Sequence, residues 1–158
     1  MSSSNIVTQT IILASDHAGY NLKNIIATEM SKNGHNVLDL GTNNSEPSVD
    51  YSDFGHLAAA EFLRGNANFG LIFCGTGIGI SMAANKHNGI RAALCYDIET
   101  AKLARSHNDA NMLALGGRFI EVDIAKRCVN AFINTPFDGG RHLNRVKKID
   151  LVQKERFK

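Results

Sequence analysis

Tryptophan is absent from this sequence, proline occurs twice, and aromatic residues fill only 7% of its 158 positions. Nucleic-acid surfaces need a broad basic stripe interleaved with stacking rings, so that class of partner is excluded at the outset. No window approaches the roughly 20 consecutive apolar residues of a membrane span. The opening stretch, Met1-Ser-Ser-Ser-Asn5, has no basic patch leading into an apolar core, which argues against targeting and against a membrane. Cysteine is scarce too. Cys74, Cys95 and Cys128 are odd in number and form no CxxC, which excludes a disulfide scaffold and points to a reducing compartment, the cytoplasm. No paired histidine or cysteine spacing suggests a zinc site, so no metal is expected.

What is present suits one globular domain: 44% hydrophobic and 20% charged residues, in a chain long enough to bury roughly 70% of its unfolded surface. We read residues 10–158 as that domain and 1–9 as a flexible extension. Short apolar or β-branched runs alternate with segments of helical period, the signature of repeated βαβ units. Strands are expected at Thr10–Ser15, Asn36–Leu40, Asn68–Cys74, Ile90–Tyr96 and Met112–Leu115. Helices are expected at Gly19–Asn33, Tyr51–Leu63, Ile78–Lys86, Ile98–Ser106 and Val122–Ile133. In the first helix Leu22, Ile25, Ile26, Glu29 and Met30 form the inward stripe, with Gly34 at C′. The runs Leu71–Cys74 and Ala92–Cys95 are continuously apolar, as strands covered on both faces are. The fold class is therefore α/β, a three-layer αβα sandwich around a five-stranded parallel sheet. A last basic helix, Arg141–Lys158, turns Leu143, Val146, Ile149 and Val152 inward.

The net charge is only +2, but seven of the 17 basic residues and two of the 15 acidic ones lie in Gly139–Lys158. That segment calls for an anion. In open parallel sheets, ligands bind beyond the carboxyl ends of the strands where strand order reverses. A 2-1-3-4-5 order puts strands one and three side by side, so Asp16 and Cys74 flank one crevice. The turn Cys74-Gly-Thr-Gly-Ile-Gly-Ile-Ser81 carries glycines at 75, 77 and 79, which free the backbone to aim successive N–H groups at one point. It is neither a Walker loop nor GxGxxG; Asp97, about 20 residues on, leaves a dinucleotide reading weakly open. A thiol at the start of a helix favours its thiolate, so Cys74 can act as base or nucleophile, whereas an isolated cysteine is ordinarily inert core. Asp16-His17 fits an acid/base or hydroxyl-binding pair, or Asp16 caps the first helix, and both roles can coexist. His107 ends a helix, where capping and catalysis are comparable readings. Arg141 and Arg145 stand at i, i+4, a spacing that suits a grip on phosphate, with His142 between them and Arg118 nearby; a solvated basic tail reads equally well in isolation. Together these groups suit proton transfer beside a carbonyl on a phosphorylated substrate, which requires no cofactor.

Ala14-Ser-Asp-His-Ala-Gly19, Val49-Asp-Tyr51, Cys74–Ser81, Ala84-Asn-Lys86, Gly89-Ile-Arg-Ala92, His107-Asn-Asp109, Leu115-Gly-Gly-Arg118 and Gly139-Gly-Arg-His142 with Arg145-Val146 form an ordered set. Over nearly the whole chain, this set resembles B-type ribose-5-phosphate isomerase. The resemblance implies a flavodoxin-like sandwich, a homodimer with shared active sites, and interconversion of ribose 5-phosphate and ribulose 5-phosphate in pentose phosphate metabolism. It implies Cys74 as the base between C2 and C1, where some relatives use a nearby glutamate. The amides from Gly75 through Gly77 and Ile78 to Gly79, aided by Thr76, would hold the enediolate. His107 would open the furanose ring and Asp16 would relay protons among hydroxyls. Tyr51 and Asn108 would line the sugar, while His17, Arg118, Arg141 and Arg145 would hold phosphate with help from His142. Because His107 follows the fourth helix, away from the crevice, it would enter from the partner subunit. Ser52 departs from the proline usual after Asp-Tyr. Allose-6-phosphate and galactose-6-phosphate isomerases look similar, so a hexose phosphate is an alternative substrate. A non-catalytic phosphosugar sensor is a further one, although a sensor has no need of Cys74.

Overall fold

The structure, a computed structural model, describes residues 7–151. Eleven elements follow one another: β1 (Thr10–Ser15), α1 (Tyr20–Lys32), β2 (Asn36–Asp39), α2 (Tyr51–Leu63), β3 (Phe69–Cys74), α3 (Ile78–Ala84), β4 (Ala92–Leu94), α4 (Ile98–Ser106), β5 (Met112–Gly116), α5 (Val122–Asn134) and α6 (Arg141–Ile149). All strand pairs are parallel, in the order β2-β1-β3-β5-β4. The αβα class and the β1–β3 adjacency are as expected, with Ile11 opposite Phe69 and Ser15 opposite Phe73. The last two strands are exchanged relative to the 2-1-3-4-5 order, since β5 and not β4 pairs with β3.

Burial explains the exchange. All five residues of β5, Met-Leu-Ala-Leu-Gly, are buried, whereas β4 is three residues long and only half-buried. A fully apolar strand gains most from two strand neighbours, and the short one is left at the edge. Even at the edge, alternate residues of the run Ala92–Cys95 pack against both layers, Ala92 and Leu94 on one core and Ala93 and Cys95 on the other, as its continuous apolar pattern predicts. Alternate residues of the central strands feed two cores. Ile11, Leu13 and Phe73 meet α1, α4 and α5 on one face; Ile12, Ala14 and Ile72 meet α2 and α3 on the other. That distribution is what right-handed crossovers produce when the chain reverses direction across a sheet.

Two helical stripes differ from expectation. In α1, Leu22, Ile26 and Met30 are buried, but the fourth buried residue is Lys23, while Ile25 is 38% exposed and Glu29 only partly covered. Lys23 lays its alkyl stem in the core and delivers Nζ to both carboxylate oxygens of Asp39, at 2.6 and 2.5 Å. Asp39 also accepts the Gly41 N–H, which pins the end of β2. Gly34 closes α1 with φ +83°, as a C′ glycine should. In α6 only Val146 is buried, and Leu143 and Ile149 are exposed, because this helix packs extensively against neither the sheet nor another helix. Val152 and the expected continuation of α6 to Lys158 lie outside the described residues, as does most of the 1–9 extension. No helix among the described residues is long and apolar enough to cross a membrane.

Candidate active site

β1 and β3 end together at Ser15 and Cys74, and the chain reverses strand order between them, so the crevice forms at this point. A cavity of about 420 Å³ opens here, lined by Asp16, His17, Tyr51, Cys74, Gly75, Thr76, Ile78, Gly79 and Arg118, with Ala18 and Met82. Cys74 is 4% exposed; it packs against the α2–α3 core and still borders the cavity. Its Sγ accepts the N–H of Gly77 at 3.1 Å. Gly77 has φ +76°, and a Cβ there would stand 2.6 Å from the Leu94 side chain, so this turn tolerates only glycine. Gly79 is needed for a different reason: the Tyr51 ring occupies the space a side chain would take.

The glycine turn partly satisfies itself. Gly77 N–H is given to Cys74, and Ile78 N–H to the hydroxyl of Thr76 at 3.2 Å. The loop after β5 is fastened alongside, with Gly117 N–H on the Cys74 carbonyl and Arg118 N–H on that of Gly75. This leaves the Arg118 guanidinium beside Gly75 at the cavity wall. Asp16 is buried, and its Oδ1 accepts the Gly19 N–H at 3.0 Å, a support for the turn into α1 that coexists with a place in the cavity. His17 accepts the Val49 N–H at Nδ1, 3.1 Å away. The same Nδ1 lies 3.3 Å from the Val49 carbonyl, so both main-chain groups of Val49 hold the ring in place.

The remaining expected residues gather elsewhere in the same chain. His107, at the end of α4, stacks on His142 with centroids 4.3 Å apart and planes within 11°. Burial, and then the charges of His107, Arg141 and Arg145, push the ionisation of His142 below the usual imidazole range, with Asp138 opposing. Asn108 lines a second cavity, of about 660 Å³, with His87, Arg91 and Asp150. His107, Asn108, Arg141, His142 and Arg145 thus do not line the Cys74 cavity of their own chain. His107, Asp138 and His142 do bring three possible metal-ligand atoms within 4.8 Å of one another, a grouping invisible to spacing rules because it joins distant segments. The surrounding guanidinium groups make that corner better suited to an anion.

Sequence reasoning missed Tyr96, whose hydroxyl donates a short hydrogen bond to the Thr76 carbonyl. The rule that ligand loops follow strands pointed to it, since Tyr96 lies just beyond β4. Asp97 is accounted for as the N-cap of α4, accepting the Thr100 N–H at 2.8 Å, a bond that holds its carboxyl below the usual range. That removes the basis for a dinucleotide reading.

Fold and crevice together define an open parallel α/β protein whose strand-end cavity is bordered by a thiol and a guanidinium group. Comparison with known proteins narrows this. Residues 11–149 match the family model described as Ribose/Galactose Isomerase, and the chain belongs to that family. It is 40% identical over 146 residues to ribose-5-phosphate isomerase B of Escherichia coli K12, covering 92% of this chain and 97% of that protein. The crystal structure of a ribose 5-phosphate isomerase from Thermotoga maritima superposes with a TM-score of 0.88 at 48% identity, over 90% of this chain and 97% of that one. Ribose-5-phosphate isomerase B from Mycoplasma genitalium, solved with bound ribulose-5-phosphate, gives a TM-score of 0.85 at 42% identity, over 89% and 93%.

Proposed function

We propose that this chain interconverts ribose 5-phosphate and ribulose 5-phosphate through an enediolate, with the Cys74 thiolate as base. The observation that carries the reading is the placement of a buried sulfur, hydrogen-bonded to a main-chain amide, between Asp16, Thr76 and Arg118 at a strand-end cavity. Once the sugar is open, Cys74 removes the proton from C2. The C–H electrons form a C1–C2 double bond and charge moves to the aldehyde oxygen, where donors of the glycine turn stabilise it. A proton passes from the C2 hydroxyl to the C1 oxygen, with Asp16 and Thr76 as relays, and the thiol returns its proton to C1. Tyr51 and the His17 ring orient the substrate, and Arg118 meets phosphate at the cavity wall.

The second group acts from a partner subunit in a homodimer. The partner subunit's His107 assists ring opening by proton transfer, the partner's Asn108 lines the sugar, and the partner's Arg141, His142 and Arg145 complete the phosphate grip. The separation of the two clusters within one chain supports this arrangement, as do the solvent-exposed side chains of Ile78 and Met82 beside the Cys74 cavity. The three free, buried cysteines accord with the cytoplasm.

The test is a coupled assay of ribulose 5-phosphate formation run with a chelator, beside allose 6-phosphate and galactose 6-phosphate. We expect ribose 5-phosphate to have the highest kcat/KM. A hexose phosphate turned over faster would move the substrate assignment to the galactose side of the family, and no turnover of any sugar phosphate would overturn it.

A further inference from the structure

His107 and Asn108 sit on a turn, and what holds that turn has no place yet in the chemistry. The next residue, Asp109, has φ +45°, the left-handed region that non-glycine residues enter rarely. Its carboxylate takes one hydrogen bond from Arg91 at 3.1 Å and one from Arg105 at 2.8 Å, and its carbonyl takes Arg91 Nε–H at 2.9 Å. Arg105 also donates to the Ala110 carbonyl, while its guanidinium lies over the rings of Phe69 and Phe132. The Arg91 and Arg105 side chains are only 16% and 11% exposed, so these are not the loose surface pairs that contribute little.

Arg91 extends further. Its remaining guanidinium nitrogen reaches Asp150 at 3.4 Å, just past the end of α6, and Asp150 also accepts the Gly89 N–H. At the other end of α6, the Asp138 N–H bonds the Ser106 carbonyl and His142 stacks on His107. A closed circuit therefore joins the His107 turn to both ends of the helix that carries Arg141 and Arg145. Neither Arg91, Arg105 nor Asp109 lines the Cys74 cavity.

We propose that Arg91, acting through Asp109, is a positioning residue that sets His107 and Asn108 for ring opening and fixes them relative to the phosphate-binding helix. The proposal rests on the role given to His107 above. A guanidinium fork serves a carbonyl, a carboxylate and Asp150 at once, which an ammonium cannot do.

The experiment is a double-mutant cycle with ribose 5-phosphate, run well below each variant's melting temperature. Arg91→Ala should lower kcat by about 10²-fold while KM changes much less, the effect expected when a catalytic group is displaced by about 1 Å. Arg91→Lys should recover only part of that loss. In a His107→Ala background, Arg91→Ala should cost less than about threefold more, because both changes remove the same contribution. Asp109→Asn, which suits the same backbone conformation and keeps the side-chain volume, should show the same non-additivity with about a tenfold loss, and it serves if Arg91→Ala fails to fold. A full additional loss in the His107→Ala background, or a lowered melting temperature with unchanged kcat, would overturn the proposal. Full activity of His107→Ala alone would instead show that the ring-opening assignment had failed, and the proposal with it.

Discussion

The surroundings of Cys74 and of His107 are built on different supports. Cys74, Asp16 and the glycine turn stand at the ends of the two central strands, and their geometry comes from sheet register and main-chain hydrogen bonds. His107 and Asn108 stand on a turn, and their geometry comes from side-chain charges drawn from Arg91, Arg105, Asp109 and Asp150. A strand end is fixed by the fold as a whole, so the first region forms wherever the sheet forms. A turn braced by ion pairs is only as well placed as its braces. In the proposed reaction the work divides the same way, with carbon-bound proton transfer and the Arg118 contact to phosphate on the rigid side, and ring opening and the rest of the phosphate grip on the braced side.

Replacing Cys74 should have the largest effect. Cys74→Ala should lower kcat by about 10³-fold or more, within the upper range for loss of a positioned base, while affinity for inorganic phosphate stays close to that of the parent. Retained turnover would end the base assignment. Mixing variants tests the division itself: if sites are shared, Cys74→Ala dimers exchanged with His107→Ala dimers should recover up to about a quarter of parental activity, since each mixed dimer holds one intact site. No recovery after demonstrated subunit exchange would place both clusters in one chain's own site. On the braced side, Arg145→Ala should raise KM by about tenfold and lower kcat less, because phosphate is held in ground and transition states alike.

The two regions were unequally legible in the sequence. Strand-end residues could be read because an apolar run followed by Asp-His, or by Cys and alternating glycines, states both the element and where it stops. Gly77 and Gly79 carried information because a left-handed turn and the Tyr51 contact leave no alternative residue. The exchange of β4 and β5 was not legible, since both runs are short and apolar and only packing sorts centre from edge. Lys23 in the core was hidden for a related reason: a lysine on a helix reads as surface until its partner Asp39, on another element, is known. The His107–His142 stack and the Arg91 circuit join segments far apart in the chain, so no local spacing announces them.

Two smaller effects sharpen the contrast on the rigid side. Asp39→Ala leaves the Lys23 ammonium, 1% exposed, without its partner, and should cost about 3 kcal/mol in denaturant unfolding with little change in KM. Alkylation should separate the thiols. Burial pushes Cys95 upward, and burial with the charges of Cys95 and Asp97 pushes Cys128 up to about 11, so both stay protonated and unreactive at pH 8. Iodoacetamide should therefore modify Cys74 alone, and ribose 5-phosphate should slow the reaction; peptide mapping that found Cys128 modified first would contradict this.

The smallest expected effect concerns the residue that spans both regions. β4 has Arg91 immediately before it and Tyr96 shortly after it, so one edge strand braces the His107 turn at its start and the glycine turn at its end. Burial, and secondarily the nearby Cys74, push the Tyr96 hydroxyl upward, so it remains a donor to the Thr76 carbonyl across the neutral pH range. Tyr96→Phe removes that one bond without opening a cavity, and a hydrogen bond of ordinary net strength, about 1 kcal/mol, corresponds to a loss of about fivefold in kcat. The loss should stay the same across the neutral pH range, because the donor does not ionise there. A Tyr96→Phe profile displaced along the pH axis would mean that the hydroxyl acts on the thiol directly, and the glycine turn would then need no external brace.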